Sequence, residues 1–126
     1  MASRYFAFVP RVARWLFWPT LAFACVMAML PKPPKLPTGA WGDKWEHALA
    51  FFVLAALAQA GWGARRRWPN AAWLIALGAL IEIAQLTPGL GRDADLRDWL
   101  VDAAVVLLAT VLALSADRVG RSMFGR

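Results

Sequence analysis

The sequence predicts an all-α, polytopic membrane protein with four transmembrane helices and both termini in the cytoplasm. Of its 126 residues, 60% are hydrophobic and 17% are charged, whereas soluble domains average about half apolar and a quarter charged residues. Four apolar segments of about 16 to 19 residues follow one another, and roughly 20 residues span a bilayer. Basic residues gather in alternate connections between these segments, and this pattern orients them.

The first span is predicted at residues 15–30, after a basic stretch at 1–14 that contains no acid. Pro19 predicts a kink in this span. A cleaved signal peptide is the alternative, because a basic and an apolar region precede the sequence Ala-Phe-Ala at 22–24. Cleavage there would cut through the apolar run, so a retained helix is favoured.

The second span is predicted at residues 43–61, after a proline-rich connection at 31–39 that cannot be helical. Asp43 lies at the start of this span, where a carboxylate can cap free amides. The third and fourth spans are predicted at residues 71–86 and 98–116.

These segments divide the chain into a basic cytoplasmic N-terminus (1–14), a four-helix membrane domain (15–116) and a basic cytoplasmic tail (117–126). Nine of the fourteen basic residues lie on the side of the two termini, and the positive-inside rule places that side in the cytoplasm. These nine are Arg4, Arg11, Arg14, Arg65, Arg66, Arg67, Arg118, Arg121 and Arg126. The predicted location is the bacterial inner (plasma) membrane, crossed several times.

Membrane lipids are the expected partners of this chain. The three consecutive arginines at 65–67 predict a cytoplasmic loop that contacts anionic lipid. The net charge of +6 does not predict nucleic-acid binding, because no basic stripe lies on an otherwise polar face. Cys25 is the single cysteine and therefore excludes an intramolecular disulfide.

Seven of the eight acids fall in the outer half of this topology. Three spans carry polar pairs three or four residues apart, so each pair lies on one helix face. The pairs are Asp43 and His47, Glu82 and Gln85, and Asp98 and Asp102. Charged groups are rare within membranes, because their burial in hydrocarbon costs several kcal/mol. His47, Glu82 and Asp102 are therefore predicted to face one another in one polar pocket that opens to the outside or to the outer leaflet.

These motifs resemble those of the VanZ-like family, small membrane proteins named for a determinant of resistance to the glycopeptide antibiotic teicoplanin. The resemblance covers residues 42–113, where DKWEHALAFF matches an opening D-K-x-x-H and EIAQLTPGLGRDADLRDWLVD matches E-x-x-Q followed by Arg and Asp. The matching residues are Asp43, Lys44, His47, Glu82, Gln85, Arg92 and Asp98. The chain departs from the family at Asp102, where Asn is usual, and at Val105, where Gly is usual.

The resemblance implies a cell-envelope protein, linked in some family members to glycopeptide tolerance. The catalytic candidates in this chain are His47, Glu82 and Asp98. The candidates for binding a ligand or lining the pocket are Asp43, Lys44, Gln85, Arg92 and Asp102. No metal-binding motif is present, and neither a metal nor a cofactor is expected.

Each candidate has a functional and a structural interpretation. Glu82 is favoured as an acid or base over a structural hydrogen bond. His47 is a general base, a metal ligand or a helix-to-helix hydrogen bond. Asp98 binds a ligand or caps the fourth helix. Arg92 binds a phosphate or carboxylate, or neutralises nearby acids, and Gln85 organises the surroundings of Glu82.

Three functions stay open on the sequence. The first is a non-catalytic envelope protein whose outward pocket binds a lipid-linked or glycopeptide-type ligand and changes glycopeptide susceptibility. The second is an envelope enzyme that uses His47 and Glu82 for acid–base chemistry on a lipid-linked or peptidoglycan-related substrate. The third is a proton- or cation-coupled transporter with Glu82 and Asp102 as a relay.

Overall fold

The computed structural model describes residues 2–31 and 43–125. Within these ranges the chain forms four α-helices and one short 3₁₀ turn, and no strand occurs there. The helices are α1 (Ala2–Met29), α2 (Asp43–Gly61), α3 (Arg67–Gln85) and α4 (Leu96–Phe124), and the 3₁₀ turn (Ala64–Arg66) joins α2 to α3. The predicted all-α class with four helices is confirmed.

The helix bounds agree with the predictions for α2 and differ for the others. α1 begins thirteen residues before the predicted span and takes in the basic N-terminus, and α4 continues through most of the predicted tail. The apolar pattern made the predicted spans of α1 and α4 too short. Arginine is a good helix former, so a helix can continue beyond its apolar part. The predicted proline-rich connection at 31–39 lies outside the described residues after Pro31.

Two prolines lie inside α1, at Pro10 and Pro19, and the helix continues through both. One turn of α1 is supported by the Thr20 hydroxyl, which donates to the Leu16 carbonyl at 2.7 Å. The kink at Pro19 stays a prediction.

α2 is the central helix of the bundle, because it makes the most extensive contacts with both α1 and α4, while α3 packs mainly on α4. Leu54 of α2, Leu74 of α3 and Val106 of α4 are fully buried between them. α3 approaches the bundle closely at Gly78, where an added Cβ would lie 3.2 Å from Cδ1 of Trp99 and 3.4 Å from Cζ of Phe51. The missing side chain therefore allows this contact.

The faces that point away from the bundle are apolar. Large hydrophobic side chains are exposed on all four helices. Examples are Phe23, Val26, Leu49, Leu80, Ile83, Leu108, Val111 and Leu112. By length and composition two described helices could cross a membrane, Ala7–Met29 and Leu96–Phe124, and Trp45–Gly61 is a shorter apolar helix.

Candidate functional site

The last turns of α1, the first turns of α2 and the α3–α4 connection meet at one end of the bundle, which we call the acidic end. The connection can fold back because Gly89 and Gly91 adopt positive φ values of 83° and 70°, a conformation that glycine adopts without strain. Gln85 Nε2 and Arg92 Nε then both donate to the Ala28 carbonyl, at 2.9 and 3.2 Å. A cation at the C-terminal end of a helix is also favourable for the helix dipole.

Glu82 fixes the start of α4 at this end. Its Oε2 accepts a hydrogen bond from the backbone N–H of Asp95 at 2.9 Å. Asp95 has extended backbone angles and is the N-cap of α4, because its Oδ1 accepts from the N–H of Arg97 at 2.9 Å. Glu82 therefore holds the residue that begins the next helix.

The interpretation of Asp98 as the cap of the fourth helix is wrong. The helix begins two residues earlier than predicted, so the cap is Asp95. Asp98 already lies in the first helical turn, and a capping residue needs a non-helical backbone. In that turn its carboxylate still interacts favourably with the positive end of the helix dipole.

Asp102 is a buried acid with an unsatisfied oxygen. Its exposed fraction is 3%, and its Oδ1 has no hydrogen-bond partner in the described parts of the chain. The charges of Glu82 and Asp98 lie close enough to act on it. An unsatisfied buried polar group costs about 1–3 kcal/mol, and more when it is charged, so this arrangement opposes folding.

A cavity of about 70 Å³ lies beside these acids, between α1, α2 and α3. Its polar lining residues are Glu46, His47 and Arg92, and the rest of the lining is mainly apolar. Glu82 and Asp102 do not line it. Arg92 connects the two parts of the acidic end, because it lines the cavity and its charge also acts on Glu82.

The predicted site residues therefore form two adjacent groups. One contains His47 and Arg92 at the cavity, and the other contains Glu82, Asp98 and Asp102. Gln85 is buried and supports the first group through the Ala28 carbonyl. The side chains of Asp43 and Lys44 lie outside the described residues, although α2 begins at Asp43.

Sequence reasoning missed Glu46 as a lining residue of the cavity. The signal was available, because Glu46 is the neighbour of His47 and lies within the quoted D-K-x-x-H stretch. Among the described residues, no group of three His, Cys, Asp or Glu side chains is arranged to hold a metal ion.

The opposite end of the bundle, which we call the basic end, holds a polar network centred on Arg67. Its guanidinium pairs with Asp117 through two bonds, Nη2 to Oδ1 at 2.8 Å and Nε to Oδ2 at 2.9 Å. Nη1 also donates to the carbonyls of Gln59 and Trp62. The Gln59 side chain donates in turn to the Arg67 carbonyl and to Oγ1 of Thr110, both at 3.0 Å.

This network corrects the interpretation of residues 65–67 as only a lipid-contacting loop. Arg65 and Arg66 are exposed in the 3₁₀ turn, but Arg67 is the first residue of α3 and turns inward. Gln59 and Thr110 were the available signals, since each is an isolated polar residue in an apolar segment. The hydrogen bond from Arg67 holds the pKa of Asp117, which follows the predicted fourth span, below its ordinary value.

The fold and the site define an all-α four-helix protein with an acidic end, a small cavity beside it and a basic end. No protein-family profile, curated protein or solved structure matches the chain. The VanZ-like resemblance therefore stays a prediction.

Proposed function

We propose that the chain is a VanZ-like, multi-pass protein of the bacterial inner membrane, with four spans and both termini in the cytoplasm. The apolar outward faces of the helices support this location. A soluble protein rarely exposes large contiguous apolar patches, yet side chains such as Leu80, Ile83 and Leu108 are more than half exposed here. Lipid would cover these faces.

Helix length supports four spans. α2 and α3 have 19 residues each, which at 1.5 Å per residue is about 28 Å, close to the roughly 30 Å of a hydrocarbon core. The longer α1 and α4 extend beyond that thickness at the basic end. Because arginine-rich segments stay in the cytoplasm, the basic end faces inward and the acidic end faces out.

At the outer face, the acidic end binds a lipid-linked or glycopeptide-type ligand and thereby changes glycopeptide susceptibility. The observation that carries this proposal is Asp102, buried with an oxygen that no described residue satisfies, beside Glu82 and Asp98. Each unsatisfied buried group in a folded protein needs an explanation. Ionisable groups within membrane proteins mostly serve function, so a ligand is the favoured explanation.

The geometry favours binding over catalysis. One oxygen of Glu82 is already engaged by the backbone of Asp95, and Glu82 does not line the cavity to which His47 contributes. The acid–base enzyme stays a prediction. The transporter also stays a prediction. A proton relay that starts at Asp102 would meet the apolar side chain of Val106 one turn further along the buried face of α4.

The test is glycopeptide susceptibility of a deletion strain complemented with variants of equal membrane abundance. We expect Glu82→Gln, His47→Ala and Asp98→Asn each to change susceptibility toward that of the deletion. Asp93→Asn is the matched control, because Asp93 is an exposed acid of the same end. Susceptibility that is the same with and without the wild-type protein would contradict the proposal.

Topology is tested separately by cysteine labelling in a Cys25→Ser background. Thr87 is exposed at the acidic end, Ser122 is exposed at the basic end, and Gly63 has open space around it. An impermeant thiol reagent should label Thr87→Cys from outside, and should label Gly63→Cys and Ser122→Cys only after the membrane is opened. Labelling of all three from one side would exclude this orientation.

A further inference from the structure

The basic end contains a cleft that the proposed function does not use. It opens between α1, α2 and α3 and has a volume of about 120 Å³, several times the roughly 10–15 Å³ that one water needs. Four aromatic side chains form much of its wall, namely Phe17, Trp18, Trp62 and Trp73. The cleft therefore offers an apolar surface at the level where α2 ends and α3 begins.

The aromatic wall is organised by ring contacts. Phe17 packs edge-on against Trp62 with ring centres 5.2 Å apart, and Trp18 packs edge-on against Trp62 at 6.2 Å. Trp73 completes the wall, and its ring centre lies 6.3 Å from that of Phe17. Tryptophan is enriched at the interface between hydrocarbon and headgroups, which is where this end of the bundle would lie.

Arg14 adjoins this wall. Its guanidinium carbon is 5.9 Å from the centre of the Trp62 ring, and its Nε donates to the Gly61 carbonyl. No described residue accepts a hydrogen bond from its Nη1 or Nη2. The guanidinium is thus oriented by the protein and keeps two nitrogens for a phosphate, which arginine binds in a bidentate manner.

The charge around the cleft is almost entirely positive. Arg65 and Arg66 are exposed and follow Trp62 in the adjoining turn. Asp117 is the one acid that the sequence places at this end, and Arg67 already pairs with it. The local field therefore favours an anion.

We propose that this cleft binds an anionic phospholipid of the cytoplasmic leaflet. An acyl chain lies against the aromatic wall, and the phosphate lies at Arg14, with further attraction from Arg65 and Arg66. Basic pockets between transmembrane helices on the cytoplasmic side bind anionic lipid headgroups in this way. Free phosphate would use only the arginines and would leave the apolar wall uncovered.

The experiment measures lipid binding to the purified full chain by native mass spectrometry in non-ionic detergent. Phosphatidylglycerol is compared with phosphatidylcholine of the same acyl chains, and glycerol phosphate serves as the headgroup alone. We expect phosphatidylglycerol to bind at least about tenfold more tightly than phosphatidylcholine, since each nearby basic residue adds about a fivefold preference. The proposal would be overturned if the two lipids bound equally tightly. It would also be overturned if glycerol phosphate displaced phosphatidylglycerol as effectively as the intact lipid does.

Matched variants locate the site. Arg14→Gln should weaken phosphatidylglycerol binding about fivefold, and the double variant Arg65→Gln, Arg66→Gln about tenfold or more. The double variant also keeps the test valid if Arg14→Gln does not fold, because both residues are exposed. Arg118→Gln is the control, since it removes the same charge from α4, which does not line the cleft. A loss in Arg118→Gln equal to that in Arg14→Gln would mean diffuse attraction and no built site.

A second pair of variants tests the acyl chain. Trp73→Ala removes part of the cleft wall, whereas Trp68→Ala removes an exposed tryptophan of the same helix that does not line it. We expect only Trp73→Ala to weaken lipid binding severalfold. Equal losses would overturn the role of the wall. This inference shares the membrane location with the proposed function but not its outer site, so lipid binding and glycopeptide susceptibility can fail separately.

Discussion

Both ends of the bundle place polar side chains in apolar surroundings, but they differ in whether the hydrogen-bonding groups of those side chains are satisfied. At the basic end, Arg67, Asp117, Gln59 and Thr110 satisfy one another's hydrogen bonds. At the acidic end, Asp102 is buried as deeply as Gln59 and Thr110, but one of its oxygens has no partner in the described parts of the chain. The comparison teaches that a satisfied network holds helices together, whereas an unsatisfied buried acid opposes folding and needs an explanation.

The largest expected effect comes from breaking the satisfied network. Arg67→Ala removes both bonds to Asp117 and leaves two carbonyls without a donor, so it should lower the free energy of unfolding by about 3 kcal/mol. Denaturant unfolding in detergent measures this change. Arg66→Ala, at an exposed neighbouring position, should stay within about 0.5 kcal/mol. Equal effects of the two substitutions would show that the network does not stabilise the fold.

Substitutions at two buried residues on one face of α4 should change the free energy of unfolding in opposite directions. Thr110→Val removes the hydroxyl that accepts from Gln59 and should cost about 1 kcal/mol. Asp102→Asn removes a buried acid beside Glu82 and Asp98 and should raise the free energy of unfolding by about 1 kcal/mol. If Asp102→Asn destabilised the protein as much as Thr110→Val does, Asp102 would be a structural residue and the comparison between the ends would fail.

A smaller effect separates the two acids at the start of α4. Asp95→Ala removes the side chain that caps α4 but keeps the backbone N–H that donates to Glu82, and should cost about 1 kcal/mol. Asp98→Ala removes a first-turn charge that favours the helix dipole, with an expected cost of about 0.5 kcal/mol. Thermal unfolding of the two variants measures both losses, and a larger loss in Asp98→Ala than in Asp95→Ala would contradict the prediction.

The smallest expected effect is the pH dependence of the basic end. The folded-state pKa of Asp117 is lowered by its bond to Arg67. The pair therefore contributes its full stability above the ordinary pKa of aspartate and loses it as the pH falls through the lower folded-state value. The wild type and Asp117→Asn should differ in stability at neutral pH and converge below that value. A difference that stayed constant down to low pH would exclude the ion pair as its source.

The sequence predicts the helices well where the chain marks both of their ends. α2 begins and ends as predicted because a polar start and Gly61 bracket its apolar run. α1 and α4 are longer than predicted, since the apolar pattern shows where lipid could lie and does not show where a helix stops. The closeness of Glu82 and Asp102 followed from their depth in the helices, whereas His47, predicted to face them, lies at a cavity that neither acid lines.

The polar network of the basic end could not be predicted in the same way. A run of three arginines does not reveal that only Arg67 turns inward, because that depends on where α3 begins. Its partner Asp117 lies 50 positions further on, and no local pattern connects the two. Likewise, Asp93, Asp95 and Asp98 are equally plausible caps in the sequence, and only the backbone angles and the hydrogen bond to Arg97 identify Asp95 as the cap.

The shared carbonyl of Ala28 has a consequence for biogenesis. Its two donors, Gln85 and Arg92, follow it by 57 and 64 positions. During synthesis from the N-terminus, the Ala28 carbonyl therefore lacks these two donors until more than half of the remaining chain has been made. The cavity at the acidic end, which Arg92 lines, is complete only after that late docking, so nascent chains stalled before Arg92 should lack it.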